Sequence, residues 1–143
     1  MAGVTQPLGA AYLASYLRQG GFTVSIIDNC VERLSPEKLA GRAAEKAPLL
    51  IGLTSTTTNF NNMLRLAAAL KSRLPAVPLI AGGQHASALP EQTLRGGPFD
   101  AVVIGEGEET LLELALKFAD GGSLEGVKGV CYRHNGKIRS NPP

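Results

Sequence analysis

The chain reads as an α/β fold, a mostly parallel sheet with helices on both faces, and three observations carry that reading. Short apolar, β-branched runs alternate with longer segments of helical periodicity. Two of the runs pass directly into glycine-punctuated loops, Leu79 Ile80 Ala81 Gly82 Gly83 Gln84 His85 and Val102 Val103 Ile104 Gly105 Glu106 Gly107 Glu108 Glu109 Thr110. Only the last segment breaks the alternation, with Asn135 and Gly136 set between two strand-like runs. Parallel strands need crossover connections, and in such folds these are mostly helices of right-handed sense.

Taken in order, residues 7–18 predict an amphipathic helix. Pro7 suits its first turn, Leu8, Tyr12, Leu13, Tyr16 and Leu17 share a side, and Gly20 with Gly21 ends it. Residues 23–27 form a β-branched run closed by Asp28 and predict a strand. Ser35 and Pro36 supply an N-cap and a first-turn proline to a helix running to about Lys46. Residues 49–53 predict the next strand, followed by the polar series Thr54 Ser55 Thr56 Thr57 Thr58 Asn59. A helix over residues 59–73 has Met63, Leu66, Ala67, Leu70 and Leu74 for its inner side. Residues 77–81 predict a strand, 90–94 a short helix, 101–104 a strand and 108–119 a final helix. Residues 127–133 and 137–140 flank Asn135 Gly136, the strongest short hairpin signal. The division expected is a 1–120 core and a 121–143 unit of hairpin and linker, ending in Pro142 and Pro143.

Length and composition bound the rest. With 143 residues, 44% of them hydrophobic, the chain can bury one core. A formal charge of +2, with cations interspersed among anions, gives no basic stripe of the kind nucleic acid requires. No apolar run approaches the ~18 residues of a membrane span, and no basic stretch leads into a hydrophobic segment, so a cytoplasmic location is expected. Cys30 and Cys131 have no Cys or His neighbours at metal-ligand spacing.

In an open parallel sheet, ligands bind beyond the carboxyl ends of the strands. Those ends carry Asp28 and Asn29, Thr54 to Thr58, Gly82 to His85, and Gly105 to Glu108, all small or polar. Each has a bland reading as a turn or helix cap, but four such ends in succession point to a binding surface. Gly105, Glu106 and Gly107 lack the spacing of a dinucleotide fingerprint, and no phosphate-binding loop or nucleophile elbow is present. His134 reads as a solvated turn residue, whereas His85 sits at the expected crevice. No residue is assigned a general acid or base role. Asp28, His85 and Glu106 are the only polar trio from which a small α/β enzyme could be built.

The runs Pro7 to Leu17, Gly21 to Asp28, Gly82 Gly83 Gln84 His85 Ala86 and Ile104 to Thr110 occur in an order that resembles the cobalamin (B12)-binding domain found ahead of the catalytic barrel in radical SAM enzymes. The resemblance covers nearly the whole chain. It implies a flavodoxin-like, or Rossmann-like, three-layer sheet that holds the corrin ring over its carboxyl end. It further implies that Thr54, Ser55 and Thr56 contact the nucleotide tail or corrin side chains through their hydroxyls. Gly82, Gly83, Gly105, Glu106 and Gly107 would let the ligand approach the backbone, and His85 would be a peripheral contact. The Asp, His and Gly set by which a protein histidine ligates cobalt in methionine-synthase-type domains is missing. So is the three-cysteine motif that would hold an iron–sulfur cluster, so the radical-generating module lies elsewhere. The expected role is a cobalamin-binding accessory domain serving a radical SAM barrel, normally in the same polypeptide, in methyl transfer or a related radical step.

The family's first strand should precede the first helix, yet only residues 1–6 do, with Val4 their sole β-branched apolar residue. Three outcomes are open: the sequence is truncated, the strand at Thr23 pairs directly beside residues 49–53, or another chain supplies the edge in a homodimer. The rival reading is a cofactor-free, flavodoxin-like signalling or scaffold domain. Its receiver-type version needs clustered acidic residues at the strand ends, and Asp28 stands alone.

Overall fold

A computed structural model of the chain describes residues 8–55 and 57–143. Helix α1 (Leu8–Gln19) stops where Gly21 adopts φ 94° and the Phe22 N–H donates to the Leu17 carbonyl at 3.1 Å. Ala14 and Leu17 set its buried stripe. Tyr12, expected on that stripe, is 66% exposed, because two residues from Ala14 is more than half a turn around the helix. The Pro7 start and residues 1–6 lie outside the described residues.

The strand expected over residues 23–27 does not form. Its β-branched side chains suit a strand, but among the described residues no neighbouring strand offers it a ladder, and a strand is a property of pairing as much as of composition. Asp28 instead caps a one-turn helix, α2 (Asn29–Glu32), its Oδ1 accepting from the Cys30 N–H at 3.0 Å. Ser35 caps α3 (Pro36–Glu45) by accepting from the Lys38 N–H, as the sequence predicts.

Strand β1 (Ile51–Thr54) leads through a 3-10 turn at Thr57–Asn59 into α4 (Phe60–Arg73). Then follow β2 (Leu79–Gly82), the short helices α5 (Gln84–Ala88) and α6 (Pro90–Gly96), β3 (Ala101–Val103) and α7 (Glu108–Asp120). The chain closes with β4 (Val130–His134) and β5 (Lys137–Ser140). Asn135 and Gly136, at φ 49° and 74°, make the tight turn between them that their sequence predicts.

The described sheet has the order β1-β2-β3-β4-β5. The β1–β2 and β2–β3 pairs are parallel, with Thr54 opposite Gly82 and Ala81 opposite Val102. The hairpin continues the same sheet, β4 pairing antiparallel with β3 and β5 with β4. The core strands are parallel, as expected, and the hairpin makes the sheet mixed. Residues 23–27 do not close up beside β1, which is an edge strand among the described residues.

Alternation along each strand divides the interior into two layers. Leu79, Ala81, Val102 and Cys131 face α3, α4, α5 and α6 through Ala40, Met63, Ala67, Leu70, Ala86 and Leu94. Ile80, Ala101, Val103, Val130 and Tyr132 face the other way, onto Leu114 of α7 and Val127. Large side chains such as Phe99, Leu94 and Leu114, each almost wholly buried, contribute about 1.5–3 kcal/mol apiece. Burial in this interior, with Glu91 nearby, pushes the Cys131 thiol up from its ordinary range, outweighing Arg95 and a hydrogen bond to Ser140. Cys131 is thus a packing residue, inert as a thiolate at neutral pH. Among the described residues, no helix is long and apolar enough to cross a membrane.

Candidate functional site

The parallel register brings the ends of β1, β2 and β3 to one rim, and the sequence-predicted residues follow them there. Thr54 ends β1 and Ser55 follows it; Gly82 ends β2, and Gly83 and His85 open α5; Gly105, Glu106 and Gly107 link β3 to α7. Thr56 lies outside the described residues. Asp28 is engaged in capping α2, and no described hydrogen bond joins it to His85 or Glu106.

The glycines are of two kinds. A Cβ on Gly82 or Gly105 would meet nothing within 4 Å, so at these points bare backbone faces open space. A Cβ on Gly83 would come 2.6 Å from Thr54 Oγ1 and 2.9 Å from the Ser55 carbonyl oxygen. One on Gly107 would come 2.6 Å from Val103 Cγ1. Gly83 therefore allows the β1 and β2 loops to touch and Gly107 lets its loop fold back on β3, while Gly82 and Gly105 keep the surface low.

The loops are tied to one another sideways. Phe60, the first residue of α4, stacks on the His85 ring with centroids 3.9 Å apart and planes 27° from parallel. Gly83 packs directly on Thr54 and Ser55, joining the β1 and β2 loops a second time. Ser87 Oγ accepts from the Gly105 N–H at 3.0 Å, joining α5 to the β3 loop. Sequence reasoning passed over Phe60 and Ser87: an aromatic opening an amphipathic helix and a serine between alanines carry no local signal of a rim contact.

Hydrogen bonding at the rim is incomplete. His85 is 8% exposed, yet both its ring nitrogens, and Ser55 Oγ, are buried with no partner among the described residues. Buried polar atoms are nearly always paired, so an unpaired set at a glycine-lined edge suits a ligand that brings its own donors and acceptors. The residues fit a flat, amide-bearing macrocycle: open backbone below, hydroxyl and imidazole groups beside it. Among the described residues, no group of three or more His, Cys, Asp and Glu could hold a metal ion. Glu106 is exposed and lines a 430 Å³ hollow with Tyr16 and the start of α7.

A 490 Å³ hollow lies at the opposite end of the strands, lined by Lys71, Pro78, Asp100, Tyr132 and Arg133 among others. Its charged groups Lys71, Asp100 and Arg133 are engaged with the protein. Asp100 Oδ2 accepts from Lys71 Nζ at 2.7 Å and from the Leu79 N–H at 2.8 Å, and Arg133 donates to the carbonyls of Leu94 and Phe99. These contacts pin the strand starts.

Residues 1–115 match the family described as the B12 binding domain. An uncharacterized methyltransferase of Pyrococcus horikoshii is 39% identical over 138 residues, 96% of this chain and 30% of that protein. The anaerobic magnesium-protoporphyrin IX monomethyl ester cyclase of Rubrivivax gelatinosus is 30% identical over 148 residues, 99% of this chain and 27% of its own length. The chain thus spans under a third of these curated relatives. The radical S-adenosylmethionine methyltransferase TsrM from Kitasatospora setae, solved with cobalamin and an iron–sulfur cluster bound, shares the fold at a TM-score of 0.90 and 21% identity. That match covers 100% of this chain and 27% of TsrM.

Proposed function

The chain belongs to the B12-binding domain family, and from that footing we infer that its carboxyl rim carries a cobalamin for use by a radical SAM catalytic domain. The observation that carries the reading is the unpaired, buried Ser55 and His85 beside the open backbone of Gly82 and Gly105. Bound cobalamin supplies cobalt-centred alkyl-transfer chemistry, which no side chain of this protein provides. The chain's own residues bind and orient. Gly82 and Gly105 admit the macrocycle to the backbone. Thr54 and Ser55 offer hydroxyls to its polar periphery, and Gly83, Glu106 and Gly107 shape the loops around it. The names of the relatives support a partner barrel in the same polypeptide and methyl transfer as its reaction class.

Incubation with hydroxocobalamin followed by desalting tests the reading: the eluted protein should keep the corrin absorption in equimolar amount. Elution without colour, after refolding in excess ligand as well, would favour the cofactor-free scaffold. The outer edge of β1, which carries no charged residue to discourage pairing, supports a second reading in which two copies join there. Sedimentation across a concentration series should then show a dimer that Gly52→Lys, at an exposed position of β1, removes; a monomer throughout rejects it.

A further inference from the structure

We propose that His85 and Ser55 form a buried hydrogen-bonding latch that only the corrinoid completes, with Phe60 as the positioning residue that holds the imidazole for it. The inference rests on cobalamin binding at this rim and assigns His85 an inner role in place of the peripheral one that the family resemblance implies.

A histidine buried to 92% for packing alone would find a carbonyl or hydroxyl partner within the protein, as Thr93 does by donating to the Leu89 carbonyl at 2.8 Å. His85 finds none among the described residues at either nitrogen. Its ring is nevertheless fixed, by the Phe60 face on one side and by its place in the first turn of α5. Ser55 Oγ, likewise unpartnered, belongs to the loop that Gly83 touches two residues before His85. A neutral imidazole offers one donor and one acceptor, and a hydroxyl offers both. The complementary ligand group must therefore donate and accept within a small space. A primary amide of the corrin periphery does so, and so does a ribose hydroxyl beside a phosphate in the nucleotide tail. The ring's contact with the ligand is a hydrogen bond and not a bond to cobalt.

The test uses the full chain, hydroxocobalamin and cobinamide, which lacks the nucleotide. His85→Phe keeps the stack and removes both hydrogen-bonding atoms. It should weaken hydroxocobalamin binding roughly ten- to hundredfold. Its ligand-free melting temperature should equal or exceed that of the parent protein, because an unsatisfied buried polar group has been replaced by an apolar one. His85→Asn should recover part of the affinity. In the parent protein, the ¹⁵N resonances of the His85 ring should move on loading. A loss of affinity seen with both ligands assigns the latch to a corrin amide, and one seen only with hydroxocobalamin assigns it to the tail. Unchanged affinity in a folded His85→Phe protein overturns the latch while leaving cobalamin binding intact. A parallel fall in affinity and melting temperature reduces His85 to packing and also overturns it. So does a histidine-dependent nitrogen splitting in the Co(II) resonance of the cobinamide complex. Failure of the parent protein to hold cobalamin removes the reading beneath it as well.

Discussion

Replacing Gly82 with leucine should abolish cobalamin retention while leaving the fold intact. A Cβ at this position meets nothing within 4 Å, and the backbone there is ordinary strand, so the protein has room for the side chain. Leucine also suits a strand better than glycine, which gives up backbone entropy there. The melting temperature should therefore hold or rise slightly. The same side chain would project from the end of β2 into the space that the open backbone leaves for the ligand, lifting a flat macrocycle off the surface. Affinity should fall by at least about a hundredfold, or more than ~2.7 kcal/mol. Circular dichroism and desalting with hydroxocobalamin read the two halves. A folded Gly82→Leu protein that still elutes with full corrin colour would place the ligand somewhere other than this edge.

Gly83→Ala should do the opposite and damage the protein first. Gly83 sits at φ 95°, ψ −175°, a region open essentially to glycine alone. The added methyl would press within 2.6 Å of Thr54 Oγ1 and 2.9 Å of the Ser55 carbonyl oxygen. The threonine side chain can rotate away, but the carbonyl belongs to the backbone and can move only with the whole β1 loop. Strain and overpacking together should cost about 2–5 kcal/mol, a large share of the ~5–15 kcal/mol available to a domain. Melting should fall by roughly 10 °C. Gly41→Ala, in the interior of α3 with open space at its Cβ and no positive φ, is the control and should stabilise by about 0.5–1 kcal/mol. If both substitutions behave alike, the close approach of the β1 and β2 loops is not what requires glycine at position 83.

These two adjacent glycines also mark the limit of what sequence reveals. Their presence at a strand end was legible, because a run of apolar residues giving way to Gly-Gly predicts a turn at a sheet edge. Their opposite duties were not, since only coordinates tell which Cβ would meet a carbonyl and which would meet space. The α/β class, the helices over Pro36–Glu45, Phe60–Arg73 and Glu108–Asp120, and the turn at Asn135 and Gly136 followed from periodicity and capping, which act over a few residues. Residues 23–27 misled because a β-branched run reports willingness to pair and not the presence of a neighbour. The Phe60–His85 stack joins residues 25 positions apart and the Ser87–Gly105 bond 18, separations at which no local pattern operates. Ser55 was named from its resemblance to a family pattern. That its hydroxyl is buried and unpartnered emerged only from its surroundings.

The sideways ties among the rim loops bear on how a bound molecule could leave. A loop anchored only at its own two ends can swing out and back by itself, and its occupant escapes through that local gap. Here one loop cannot lift without breaking the aromatic stack, the backbone-to-backbone contact or the serine bridge that connects it to the next. Departure of a molecule held at this rim would then need several of these to give way together, so its residence time would follow cooperative opening of a whole edge more than the wobble of any one segment.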